Sequence, residues 1–144
     1  MLLKIVRQDA VCRLVMTVPG VGPVTALTFR TAVDVVHRFD NSRLVAAVFG
    51  LTPRVHSSGE MEQIGRITKS GDTMVRAMLY EAANVMMTRC RADNWLKSWA
   101  VGVARRRGAR KAKVALARKL AVVLHRMWRD GTEFCMEKPM PILR

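Results

Sequence analysis

The chain has 144 residues, half of them hydrophobic. That is enough for one domain with a buried core and excludes wholesale disorder. Its formal net charge of +14 favours a polyanionic partner (DNA, RNA or an acidic membrane surface), and because the charge is interleaved with apolar residues it is no detachable basic tail.

Aromatic residues are sparse, with a single tyrosine, which argues against a base-stacking platform and for contact with a phosphate backbone. Cys12, Cys90 and Cys135 are scattered, as are His37, His56 and His125, so no zinc-ligand spacing exists and no metal site is expected. Free thiols point to a reducing compartment. Met1 to Val6 is too short for a signal peptide, and no apolar run approaches the length of a membrane span. The expectation is a soluble, cytoplasmic protein with no membrane partner.

Leu2, Leu3, Val6, Ala10, Leu14 and Val15 fall near helical spacing, and this first helix must end before Pro19. Gly20 and Gly22 then make a tight turn, and Pro23 suits the first turn of a helix running over Val24 to Val33. The free backbone N–H groups and the dipole of that helix face the turn, a geometry that binds phosphate. The pattern resembles a helix-hairpin-helix element, with Gly20, Gly22 and Thr25 against the nucleic-acid backbone. A plain packing corner is the alternative. After Phe39, the Asp40-Asn41-Ser42 run caps a short helix through Leu44, Val45, Ala47 and Val48, which Gly50 ends.

From Gly50 to Gly71 the helical periodicity stops, and Gly, Ser, Thr, Pro and basic residues dominate, which is loop chemistry. Ser57 and Ser58 precede Gly59, and Arg54, His56, Arg66 and Lys69 lie near in sequence. A serine beside cations suits attack on a phosphate, because the cations stabilise the charge that develops in the transition state. An ordinary basic surface loop is the competing reading.

Asp72 caps an amphipathic helix carrying Val75, Met78, Leu79, Ala82, Val85 and Met86, with Arg76 on its other face. Asp93-Asn94 recap the chain, and Trp95 and Trp99 share a face of the next helix. Arg105 to Lys111 is the densest basic run; Arg106 and Arg110 within it, and Lys113 on the helix that follows, are candidate phosphate contacts. The last helix runs through Leu116, Leu120, Leu124 and Trp128 to Gly131, and the last residues, with Pro139 and Pro141, have the look of a frayed tail. The sum is one all-α domain, 1–144 with a core of about 8–131, of about five or six helices, a helix-hairpin-helix-like element and a long central loop.

Set side by side, the ordered pieces are Val18-Pro-Gly-Val-Gly-Pro-Val-Thr-Ala26, Arg38-Phe39, Ala46 to Arg54, Ser57-Ser58-Gly59, Gly65 to Asp72, Val75-Arg76 and Ala112 to Ala121. Together they resemble the C-terminal "transposase 20" domain of the DEDD-type insertion-sequence transposases, the bridge-RNA-guided serine recombinases. The resemblance implies DNA cleavage and strand exchange with a serine nucleophile, Ser58, with Ser57 as the fallback. It implies DNA as partner, a guide RNA beside it, and a homo-oligomer of the full-length protein in a bacterial or archaeal cell. It also implies Mg2+, held by four carboxylates of an N-terminal RuvC-like domain. No matching carboxylate motif is found here, so no cofactor is assigned to this chain, which is expected to be inactive in recombination alone. The alternative is a non-catalytic nucleic-acid-binding remnant of a mobile element.

Overall fold

The computed structural model describes residues 1–51, 53–57, 62–67 and 73–137, the two middle pieces as backbone. The elements in order are α1 (Leu2–Gln8), α2 (Ala10–Val15), α3 (Pro23–Val33), a 3-10 turn (Val36–Arg38), α4 (Arg43–Val48), β1 (Pro53–Ser57), β2 (Glu62–Ile67), α5 (Thr73–Thr88), α6 (Trp95–Arg107) and α7 (Ala109–Asp130). The all-α class holds, with seven α-helices among the described residues. The stretch between α4 and α5, read as loop from its composition, contains the antiparallel pair β1–β2. Val55 in β1 and Ile64 and Ile67 in β2 suit a ladder as well as a loop. Asp72, expected to cap α5, lies outside the described residues.

Asp9 splits the first helical stretch in two. Its backbone is extended, and its Oδ1 accepts from the amides of Val11 (2.9 Å) and Cys12 (3.0 Å), capping α2. Its Oδ2 accepts from Arg30 Nε at 2.9 Å, and the Arg30 guanidinium lies 5.3 Å from the Trp128 ring centroid on α7. One carboxylate therefore ties α2 to α3 and, through Arg30, to the last helix. Burial works to raise the Asp9 carboxyl, but the Cys12 amide, Arg30 and the Val11 amide outweigh it and hold it below its ordinary 3.8. Asp9→Ala is expected to cost about 1–2 kcal/mol in a denaturant melt, mostly from the cap. Asp9→Asn should recover most of that, because the half-exposed ion pair is screened. The sign follows from the lowered pKa: this contribution is present above pH 3.8 and is lost as the pH falls through the folded value.

Gly20 has φ +97°, and a Cβ there would lie 2.7 Å from the Ala82 carbonyl oxygen and 3.2 Å from the Met86 nitrogen. The turn before α3 thus crosses directly over the backbone of α5. Gly22 is different: φ −97° is open to any residue, nothing lies within 4 Å of its Cβ position, and it serves as N-cap of α3 with Pro23 behind it.

The core is organised around α7, 22 residues and about 33 Å long. It touches α2, α4, α5, α6 and the 3-10 turn. Buried residues on more than one side of it (Ala112, Leu116, Leu120, Val123, Leu124 and Met127 among them) reflect that enclosure. The helix α5 presents Val75, Leu79, Ala82, Ala83 and Met86, close to the stripe its periodicity predicts. Phe29 stands edge-on to Phe49 and to Trp128, with centroids 6.1 and 6.4 Å away.

The chain beyond α7 is docked as far as Met136, while Pro139 and Pro141, read as a frayed tail, lie outside the described residues. Phe134 is 8% exposed and stacks on Trp95 at 6.1 Å; Trp95 Nε1–H donates to the Cys135 carbonyl and the Phe134 amide to Thr17 Oγ1. Buried aromatic area and three hydrogen bonds, the third from the Trp95 amide to the Met136 carbonyl (3.1 Å), hold Thr132 to Met136 down, which a helix-periodicity reading does not see.

Candidate nucleic-acid interface

Between Asp93 and Asp130 the sequence carries eleven Lys and Arg and no Asp or Glu. The structure folds this run into a helical hairpin, α6 and α7, packed against each other and joined through Gly108 alone, whose φ of +94° makes the sharp reversal. Arg105, Arg106 and Arg107 end α6, and Arg110 and Lys111 begin α7, so the corner is an exposed cationic tip. Arginines at the end of α6 suit its negative dipole end, but Arg110 and Lys111 sit at the positive end of α7, where cations do not stabilise the helix. Those two residues are thus not explained by helix stability.

Behind the tip, α4, α6 and α7 enclose an open cleft of about 450 Å3 lined by Arg43, Trp99, Arg118 and Lys119 with Ala46, Ala115, Val122 and Val123. Ala115, Arg118, Lys119 and Val122 follow i, i+3, i+4, i+7 spacing and share one face of α7. Lys119 Nζ stands 4.3 Å from the Trp99 ring centroid. Burial first, then the charges of Arg118 and Arg43, push the Lys119 ammonium below its ordinary 10.5, and burial pushes Arg118 down as well. No carboxylate lines this cleft among the described residues.

The sequence candidates are distributed unevenly. Arg106 and Arg110 are exposed on the cationic tip, with Lys113 half-buried one turn along. Thr25 is buried in α3, so its hydroxyl does not reach the surface; what it can offer a phosphate is its amide. Gly20 is accounted for by its approach to α5. Arg76 is engaged within the fold, donating to the Phe49 carbonyl at the end of α4 (3.3 Å) and to Thr73 Oγ1 (3.4 Å). Ser58 and Lys69 lie outside the described residues. Backbone register pairs Ser57 with Glu62 at one end of the hairpin and Pro53 with Ile67 at the other, so Arg54 and Arg66 belong to the end opposite Ser57, about 10 Å along the strand. Arg43, Arg118, Lys119 and Trp99 were not singled out in the sequence as a group. The i, i+4 spacing in an acid-free run is a signal for the α7 pair; nothing local connects them to Arg43.

His125 forms a second polar cluster, wholly buried. Its Nε2–H donates to the Val36 carbonyl (2.9 Å) and its Nδ1 accepts from the Ser42 hydroxyl (2.8 Å). The carbonyl can only accept, which sets the tautomer. Of the Asp40-Asn41-Ser42 run expected to cap α4, Asn41 does so, its Oδ1 accepting from the amides of Arg43 and Leu44, while Ser42 spends its hydroxyl on His125. This serine–histidine pair faces the core, away from any substrate.

Among the described residues no three His, Cys, Asp or Glu side chains gather into a metal-binding group. The four-carboxylate set that the resemblance implies for Mg2+ has no counterpart there: Asp9 is committed as a cap to α2 and to Arg30. The residues described do not fit that ion, and no chemical step is routed through it. Nor is any helix among the described residues long and apolar enough to cross a membrane.

The fold and the site define a strongly basic, all-α-class domain with one short β-hairpin and an acid-free cationic helical hairpin. Residues 12–100 match the family model described as Transposase IS116/IS110/IS902 family, and the chain belongs to that family. It is 39% identical over 114 residues to the transposase for insertion sequence element IS1111A of Coxiella burnetii, covering 78% of this chain and 31% of that protein. It is 32% identical over 128 residues to the transposase for insertion sequence element IS1328 of Yersinia enterocolitica, covering 88% and 38%. The chain thus spans about a third of the length of the curated relatives it matches.

Proposed function

We propose that this chain engages DNA as the C-terminal part of an insertion-sequence recombinase and contributes the nucleophile Ser58 to strand cleavage and exchange in the bacterial cytoplasm. The observation that carries the reading is the family match over residues 12–100, which spans the Ser57-Ser58-Gly59 motif. The serine oxygen attacks a backbone phosphorus, one P–O bond breaks as the Ser–O–P bond forms, and the phosphodiester energy is kept for rejoining. Lys69 would help balance the charge developing on the phosphate oxygens, while Arg54 and Arg66, at the other end of the hairpin, would hold neighbouring phosphates of the same strand. Positioning and proton removal need a partner domain with the acidic metal site, so the chain alone does not recombine DNA. A guide RNA and self-association belong to the same reading. With that acidic domain and a nicked suicide duplex supplied, mass spectrometry should find DNA covalently attached at Ser58, and Ser58→Ala should abolish the adduct. An adduct that persists in Ser58→Ala removes Ser58 from the role and turns attention to Ser57.

A second reading, a non-catalytic nucleic-acid-binding protein, is favoured by the acid-free α6–α7 hairpin, which can grip phosphates without a metal or a nucleophile. The glycine turn and the α3 N-terminus would add a sequence-independent contact of the helix-hairpin-helix kind. Under both readings Arg106→Gln with Arg110→Gln should weaken duplex binding equally for unrelated sequences and reduce the salt slope by about 1.8, or 0.9 per lost phosphate contact. Fluorescence anisotropy across a salt series measures it. Only the first reading also requires the serine adduct.

A further inference from the structure

We infer that the cleft between α4, α6 and α7 is a phosphate-binding site, with Arg118 and Lys119 as its ligands, Arg43 at its rim and Trp99 as its wall. The inference deepens the DNA-binding reading and rests on it only in taking the phosphate from a nucleic-acid backbone. Half-burying two adjacent cations on one helix face costs solvation and mutual repulsion, and such an arrangement is retained where an anion offsets it. Among the described residues Arg118 has no hydrogen-bond acceptor or carboxylate, and Lys119 has only the Trp99 ring. Both sit in a concavity of about 450 Å3, within the range of small-ligand sites and large enough for a phosphate with its sugar. An ion pair within the fold would need a carboxylate on the facing helices, and α4 and α6 carry none. Lys119 held against Trp99 is kept from swinging into solvent, so its charge is directed to the cleft.

The cleft differs from the cationic tip in chemistry. The tip is exposed, so its charges are screened and attract any polyanion loosely. The cleft is partly desolvated, so one phosphate oxygen between Arg118 and Lys119 gains charge-assisted hydrogen bonds at fixed positions. It would set the register of a backbone that the tip attracts.

The test uses the whole chain. Its three tryptophans give three indole N–H signals, and Trp99→Phe identifies the one from the cleft wall. A mixed-sequence duplex of about 20 base pairs (several phosphates beyond one contact) and inorganic phosphate are the two probes. The expected result is that the duplex shifts the Trp99 indole signal, that millimolar phosphate competes, and that Arg118→Gln with Lys119→Gln removes the shift. The same pair should lower the salt slope by about 1.8, so the wild-type advantage shrinks about tenfold between 50 and 200 mM salt. If phosphate shifts Trp99 but no duplex binds, the site stands, its ligand is a small phosphate compound, and the DNA reading fails. If the duplex binds with Trp99 unmoved and the double variant keeps the wild-type slope, the cleft is overturned while DNA binding stands. If neither probe moves Trp99, the cleft is overturned. The wild-type spectrum decides these cases even if the double variant unfolds.

Discussion

Gly20→Ala is expected to lower the melting temperature by about 10 °C, while Gly22→Ala and Gly22→Val leave it within about 2 °C. The two glycines look equivalent in sequence and are opposite in physics. At Gly20 a methyl group would meet the Ala82 carbonyl at 2.7 Å, and backbone cannot step aside as a side chain can. The φ of +97° adds a conformational penalty for any L side chain. Strain and overpacking together come to about 3 kcal/mol, which for a domain of this size corresponds to about 10 °C. Gly22 sits in extended backbone with open space around its Cβ position. The motive for testing Gly22 is therefore binding. A Val there leaves the fold intact and places a side chain before the α3 N-terminus. Weaker duplex binding by folded Gly22→Val would support a phosphate contact at that turn, and unchanged binding would leave the turn as a packing corner. Calorimetry and salt-titrated anisotropy give the two readouts.

His125→Ala should cost about 3 kcal/mol, the second large effect. It opens a cavity in the core beside Phe39, whose ring stands edge-on to the imidazole at 5.7 Å. It also leaves the Ser42 hydroxyl and Val36 carbonyl without their bonds. Ser42→Ala, which removes one bond and keeps the packing, should cost about 1–2 kcal/mol. The pH dependence separates these contributions. Burial, joined by the charges of Arg129 and His37, pushes the His125 pKa below 6.5 against the opposing pull of the Val36 bond and Asp130. Above pH 6.5 both folded and unfolded chains are neutral at this site and its full contribution is present. As the pH falls below 6.5 the unfolded chain takes up a proton that the folded imidazole resists, and stability declines until the pH passes the folded pKa. Urea melts between pH 5 and 8 should show that decline in the wild type, and a smaller one in His125→Ala. Equal slopes in the two proteins would sink the assignment.

Cys12 illustrates a limit on reading chemistry from residue type. Free thiols suggested a compartment, yet this one is fully buried and raised to about 11, first by burial and then by the Asp9 charge. It is packing, inert to oxidants that should reach Cys135 at the surface.

The sequence by itself determined the helical class, most helix positions and the family resemblance, because these depend on local quantities. The 3.6-residue spacing of Val75, Leu79, Ala82 and Met86 is one such quantity, and the ordered motifs from Val18 to Ala121 are another. The cationic tip was legible too, since Arg105 to Lys111 are neighbours in the chain. Tertiary structure decided everything that joins distant residues. Gly20 is a packing residue because Ala82 and Met86 of α5, more than sixty positions later in the chain, pass beneath it. Within the Asp40-Asn41-Ser42 run it is Asn41 that caps α4, because His125 approaches from α7 and takes the Ser42 hydroxyl. Thr132 to Met136 are docked because Trp95 and Thr17 receive them. Arg43 joins Arg118 and Lys119 only because α4 lies against α7. Helical periodicity states which face of a segment is apolar; which other segment covers that face, and which polar groups meet there, is set by packing across the whole chain.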